Sequence, residues 1–217
     1  MIVERIVPAY YDSNIYVINK KILIDAGMST DYILSHLENV TPVSDIELII
    51  LTHAHYDHFG AAPAIIKKSG AKLAIYETEA SALQDEDLSS ALMFGHTCPN
   101  LTPDILCHDG DKIPIGKGEN GEEEFLEVIH TPGHTSGCMC LYEKSSKSLF
   151  SGDTLFSEGG IGRADFGNSA AEKMTKSIQK LTALDIQNLY PGHGTPTLKN
   201  ANRSVELSLK FSERMNP

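Results

Sequence analysis

The run His53-Ala54-His55-Tyr56-Asp57-His58 constrains this chain more than any other stretch. It places three imidazoles and a carboxylate within six positions, directly after Glu47-Leu48-Ile49-Ile50-Leu51 and shortly before Gly60. The run before it is short and β-branched, which suits a strand better than a lone helix. Imidazoles and carboxylates gathered at a strand's end are metal donors on a rigid support.

Three later segments share that grammar. Ile129-His130-Thr131-Pro132-Gly133 runs into His134, Phe150-Ser151-Gly152 into Asp153, and Tyr190-Pro191-Gly192 into His193. Gly before each donor permits a sharp turn and a close approach of neighbouring loops, which a site assembled from several strand ends requires. The candidates are then His53, His55, Asp57, His58, His134, Asp153 and His193, too many for one tetrahedral ion and suited to two ions sharing a carboxylate. His36 reads as a helix-surface residue and His130 as a strand residue, while His96 is the one remaining histidine with a conceivable substrate role.

The rest of the chain supplies the supports. Strands are expected at 2–7, 14–18 and 21–25, the last two joined by an Asn19-Lys20 hairpin turn. A helix follows at 30–40, then a strand at 46–51, a helix at 60–68 stopped by Gly70, a strand at 72–76 and a short helix at 77–83. Periodicity fails from 84 to 103, a segment that reads either as a lid or as a surface loop with its own apolar anchor. Strands resume at 105–107, 112–115, 124–130, 138–142 and 148–151, with 116–121 as an exposed turn. Ser169 and Glu172 have capping-box spacing for a helix that buries Ala171, Met174, Ile178 and Leu181. A strand at 187–190 and a terminal helix at 198–214, burying Ala201, Val205 and Leu209, complete the order. The two halves look alike in outline, so we expect a single α+β domain, 1–217, of two sheets packed face to face with helices outside.

A formal charge of −11 opposes a phosphate backbone as partner, so no nucleic acid is expected. No apolar run is long enough for a bilayer, and Glu4 stands where a secretory signal would be apolar, which points to a cytoplasmic protein. The four cysteines lack a C-x-x-C pattern and read as buried free thiols.

Thr52-His53-Ala54-His55-Tyr56-Asp57-His58, followed by His134, Asp153 and His193, resembles the metallo-β-lactamase superfamily. The resemblance covers nearly the whole chain and implies the four-layered αββα sandwich. It implies a first metal site of His53, His55 and His134, a second of Asp57, His58 and His193, and Asp153 bridging two divalent ions, zinc first, with iron or manganese as alternatives. Asp25, in Ile24-Asp25-Ala26-Gly27, matches a supporting acid of the family, although a turn-capping Asp would look the same. True β-lactamases usually lack the histidine found here at 58, and some carry Cys where this chain has Asp153, so antibiotic hydrolysis is not implied. Gly160-Ile161-Gly162-Arg163-Ala164-Asp165-Phe166 resembles the G-R-x-D-F segment of small glyoxalase II-like (hydroxyacylglutathione hydrolase-like) proteins and related persulfide dioxygenases. Arg163 would then hold a substrate carboxylate, unless it pairs with Asp165. Larger glyoxalase II enzymes grip glutathione partly through a C-terminal helical domain, whereas 24 residues follow His193 here.

The resulting expectation is a thioesterase using a metal-bridging hydroxide, with Asp57 orienting the nucleophile or shuttling its proton, on a small thioester or thiol-derived substrate. Its rivals are a persulfide dioxygenase with one iron on His53, His134 and Asp153, a phosphodiester hydrolase, and a metal-bearing binding module. The expected state is a monomer or homodimer, with Leu207 and Phe211 off the terminal helix's buried face as a hint of a subunit contact.

Overall fold

The computed structural model describes residues 1–7, 9, 11–118 and 121–215, arranged as two units, Met1–Cys107 and His108–Pro217. Each unit is built on a six-stranded mixed sheet.

In the first unit, β1 (Val3–Ile6), β2 (Ile15–Ile18) and β3 (Ile22–Ile24) form an antiparallel meander. Asn19 and Lys20 both take positive φ, 49° and 61°, the twist a two-residue hairpin requires. From β3 onward the strands are parallel: β4 (Leu48–Ile50), β5 (Lys72–Tyr76) and β6 (Ile105–Cys107). Parallel neighbours need crossovers. α1 (Thr30–Val40) links β3 to β4, and α2 (Tyr56–Phe59) with α3 (Ala62–Ser69) links β4 to β5. α1 buries Ile33 and Leu37. α3 stops where expected, at Gly70, which has φ 74° and donates its N–H to the Ile66 carbonyl. The donors His53 to His58 therefore follow the C-terminal end of a central parallel strand, where sites on such sheets form.

Two expectations in this unit need correction or sharpening. The short helix expected at 77–83 is a 3₁₀ helix, Glu77–Gln84, and Glu79 within it is buried. The segment 84–103 is anchored: Ala91 and Cys98 join the unit's apolar core, and Tyr56 N–H donates to the Ser89 carbonyl at 2.8 Å, while Leu92 and Met93 stay exposed.

The second unit runs β7 (Lys112–Lys117), β8 (Glu123–His130), β9 (Met139–Glu143) and β10 (Ser148–Gly152) as antiparallel neighbours. β11 (Asn188–Pro191) then pairs parallel to β10, and β12 (Thr197–Leu198) closes the sheet antiparallel to β11. α4 (Met174–Leu181) makes the parallel crossover and buries Met174, Ile178 and Leu181 against Leu149, Ile186 and Leu189. The expected exposed turn at 116–121 includes positions 119–120, which lie outside the described residues.

Here the expected helix boundaries shift. The terminal helix, α5 (Asn202–Met215), starts later than expected because Thr197 and Leu198 pair with β11 and the next two residues, Lys199 and Asn200, take left-handed φ of 77° and 58°. It buries Val205 as anticipated, and also Ser204, Ser208 and Ser212; Ala201 is buried but precedes the helix, and Leu209 is half-buried. The capping box does not form: neither the 3₁₀ turn Ala171–Lys173 nor α4 has a side-chain cap, and Ala171 is only half-buried. The Ser169 hydroxyl is engaged elsewhere, accepting the Phe166 N–H and donating to the carbonyl of His134.

All four cysteines are free and buried. Burial pushes the Cys140 thiol up to about 11, outside the range of a reactive thiolate. Among the described residues, no helix is long and apolar enough to cross a membrane.

Candidate metal centre

The first unit brings His53, His55, Asp57 and His58 together. All four are buried. Donor atoms of His53 lie within 4.8 Å of those of His55 and of His58, and the His53 ring sits 4.8 Å from that of His55 and 4.1 Å from that of His58, centroid to centroid. The loop after β4 supplies the first two donors. The single turn of α2 then carries Asp57 and His58.

One buried acid orients two of these imidazoles. Asp25, at the end of β3 with φ 59°, accepts the His58 Nδ1–H on Oδ2 at 2.8 Å. It also accepts the Thr52 N–H at 2.8 Å and the Thr52 hydroxyl at 2.9 Å. That hydroxyl, with its proton committed to Asp25, accepts the His53 Nδ1–H at 3.1 Å. Both rings are thus fixed in the tautomer that leaves Nε2 with a lone pair, the arrangement typical of ligating histidines. Asp25 therefore acts as more than a turn cap. Glu79 steadies the same loop by accepting the Ala54 N–H at 3.1 Å. Nearby, Asp12 accepts the N–H groups of Met28 and Ser29; burial raises its carboxyl above the usual range, outweighing those hydrogen bonds.

The second unit brings His134, Asp153 and His193 together, each from a separate turn. Asp153 Oδ2 lies 3.6 Å from His134 Nε2 and 3.5 Å from His193 Nε2. His134 Nδ1–H donates to the Arg163 carbonyl at 2.5 Å, which again turns Nε2 toward the carboxylate. The Ser169 hydroxyl holds the His134 carbonyl at 2.7 Å. Gly152, just past a bulge in the β10–β11 pairing, has φ 45°, and Asp153 follows it. Gly162 is needed for space: a Cβ there would lie 2.1 Å from the Asp153 carbonyl oxygen and 2.9 Å from His134 Nδ1.

These distances fit a metal better than hydrogen bonds. In the first unit His58 Nε2 stands 3.6 Å from Asp57 Oδ2, close to the 3.6 and 3.5 Å found around Asp153. Nitrogen and oxygen at that range are past good hydrogen-bond length. Donors about 2.0–2.1 Å from one tetrahedral ion stand about 3.4 Å from one another. The donor chemistry, borderline imidazole with hard carboxylate, suits zinc, iron or manganese.

Arg163 divides into two parts. Its carbonyl serves His134, whereas its exposed guanidinium pairs with Asp165 through two bonds, Nε to Oδ1 at 3.0 Å and Nη2 to Oδ2 at 2.8 Å. His96, exposed, stacks on Tyr56, while His36 bonds the Tyr32 carbonyl and His130 that of Ser136. Thr52, Glu79, Gly162 and Ser169 were not identified as site residues from the sequence. Thr52 adjoins the cluster and Gly162 lies in the Gly-rich turn before Arg163, so both had a positional signal. An acid in a polar helical turn, Glu79, and an apparent N-cap, Ser169, had none.

Residues 10–193 match the metallo-beta-lactamase superfamily. A probable metallo-hydrolase of Methanocaldococcus jannaschii is 34% identical over 194 residues, covering 85% of this chain and 88% of its own. The hydroxyacylglutathione hydrolase GloC of Haemophilus influenzae is 32% identical over 180 residues, covering 81% of this chain and 80% of its own. The crystal structure of the BLEG-1 B3 metallo-beta-lactamase shares the fold over the whole of both chains, with a TM-score of 0.81 at 24% identity. The chain therefore belongs to the metallo-β-lactamase superfamily, a family of metallo-hydrolases, and has its α+β fold of two mixed sheets with helices.

Proposed function

We propose that the chain is a metal-dependent thioesterase acting on a small-molecule substrate. His53, His55 and His134 would hold one divalent ion and Asp57, His58 and His193 a second, with Asp153 available to both. The observation that carries this reading is the repeated 3.5–3.6 Å spacing of imidazole and carboxylate donors in both units, with the outer nitrogens of His53, His58 and His134 already committed. The similarity to a protein named hydroxyacylglutathione hydrolase supports the choice of thioesters.

When bound, two divalent ions supply hydroxide near neutral pH and positive charge against a developing oxyanion. The chain's own residues set the rest. Asp25 and the Arg163 carbonyl keep the imidazoles in the tautomer that can donate a lone pair. Asp57, buried beside His58, orients the attacking oxygen or carries its proton. A thiolate, with a free pKa of about 8.5, leaves without the full protonation an amine requires, so no strong general acid is needed on the leaving-group side.

The test is hydrolysis of a thioester panel by the purified, metal-loaded protein, run beside oxygen uptake on a persulfide. We expect hydrolysis without oxygen uptake, and loss of about 100-fold or more in kcat for Asp57→Asn with metal retained. Oxygen uptake with one iron per chain and no hydrolysis would replace this reading by the dioxygenase one, and full activity in Asp57→Asn would remove the role given to that acid.

A further inference from the structure

Within the second unit, residues 161–165 have two sides. Their backbone serves the donors: Gly162 lies against Asp153 and His134, and the Arg163 carbonyl fixes the His134 ring. Their side chains line a cavity of about 480 Å³, completed by Met174 of α4 and by Phe211 and Met215 of α5. That size lies within the range of small-molecule sites, about 300–1,000 Å³. A single loop therefore forms both the wall of this chamber and the support for a metal donor.

The chamber's chemistry is one-sided. Ile161, Ala164, Met174, Phe211 and Met215 are apolar, and the charged residues lining it among those described are Arg163 and Asp165. These two satisfy each other through a two-pronged pair. Arg163 holds the Asp165 carboxyl below its usual range, so the acid stays ionised beside the guanidinium. The Arg163 fork, which would otherwise receive a substrate carboxylate side-on, is already filled. The guanidinium also lies 5.1 Å over the Phe166 ring, a further favourable contact in its present position. Phe211 and Met215 are exposed, so α5 presents apolar surface at the chamber.

We propose that this chamber binds a neutral, apolar part of the substrate, and that Asp165 acts as a specificity residue by masking Arg163 against carboxylate-bearing substrates. The proposal rests on the thioesterase reading and names its substrate class, an aliphatic or aromatic thioester without a terminal carboxylate at this position.

The test uses non-hydrolysable thioethers and calorimetric titration of the full chain, so it does not depend on turnover. The probes are S-octyl-N-acetylcysteamine, its S-methyl counterpart, and an S-alkyl chain of octyl length ending in a carboxylate. The octyl probe is expected to bind at least about tenfold more tightly than the methyl probe, because each buried methylene adds hydrophobic free energy, and more tightly than the carboxylate-ended one. Phe211→Ala should lower octyl affinity several-fold, and Asp165→Asn should narrow the gap between octyl and carboxylate-ended probes. Equal octyl and methyl affinities, or a preference for the carboxylate, would overturn the proposal. So would a Phe211→Ala chain that binds octyl normally while its sedimentation shifts from dimer to monomer, which would make this face a subunit contact. Matched thioesters separate the two readings: hydrolysis without chain-length discrimination overturns the chamber alone, and discrimination in thioether binding without any hydrolysis overturns the thioesterase alone.

Discussion

In the first unit, four donors sit on one loop and the single turn that follows it, and they are steadied by acids from other elements: Asp25 on His58 and, through Thr52, on His53, and Glu79 on the backbone between His53 and His55. In the second, His134, Asp153 and His193 come from three turns, and their supports are mostly backbone and empty space: the Arg163 carbonyl, the Ser169 hydroxyl on a carbonyl, and the missing side chain at Gly162. The first arrangement is graded, because each supporting side chain can be weakened separately. The second is closer to all-or-none, because the turns that carry its donors are interlocked at van der Waals contact, where a Cβ has no room to enter.

The largest expected effect follows from that contrast. Gly162→Ala drives a methyl group into the Asp153 carbonyl, and overpacking of this kind costs about 1–3 kcal/mol or more. We expect the second unit's donors to be displaced and bound metal to fall to at most one ion per chain, measured by elemental analysis after dialysis. Full metal content in a folded Gly162→Ala chain would show that the second half is as adjustable as the first. Next comes Asp25→Ala, which releases His58 and His53 from their tautomer. Loss of such a supporting partner typically costs about 10–100-fold in metal affinity. Competition with a chromogenic chelator should show that loss, with Asp25→Asn intermediate because it can still accept from His58. The smallest effect is expected for Ser169→Ala, which removes two hydrogen bonds, one to the His134 carbonyl and one from the Phe166 N–H, each worth about 0.5–1.5 kcal/mol. That corresponds to a fall of a few degrees in Tm, with metal content unchanged.

The same contrast explains what could be read from the sequence. The first half is written locally, as His-x-His-x-Asp-His after a short apolar strand, and its elements emerged close to where pattern and caps put them: α1 at Thr30–Val40, β5 at Lys72–Tyr76, Gly70 ending α3. The second half was legible only through Gly preceding each donor, because its residues meet through long-range pairing of β10 with β9 and β11. Failures came where a local signal had a tertiary competitor. Ser169 and Glu172 have capping-box spacing, yet the Ser169 hydroxyl accepts the Phe166 N–H and donates to the His134 carbonyl. The apolar residues from 198 onward suggested helix, yet Thr197 and Leu198 satisfy an open strand edge first. Arg163 pairs with Asp165, two residues on, an alternative the sequence also offered. Asp25 carried only a weak signal, since its value lies in reaching Thr52 and His58, 27 and 33 residues away.

The proposed dimetal reading requires two ions per chain. Elemental analysis of the protein purified from its own source, with the chain concentration measured by amino-acid analysis, tests it directly. About two equivalents of divalent metal per chain are expected in the wild type and about one when His58 and His193 are both replaced by Ala. One equivalent in the wild type, unchanged by that double replacement, would contradict it.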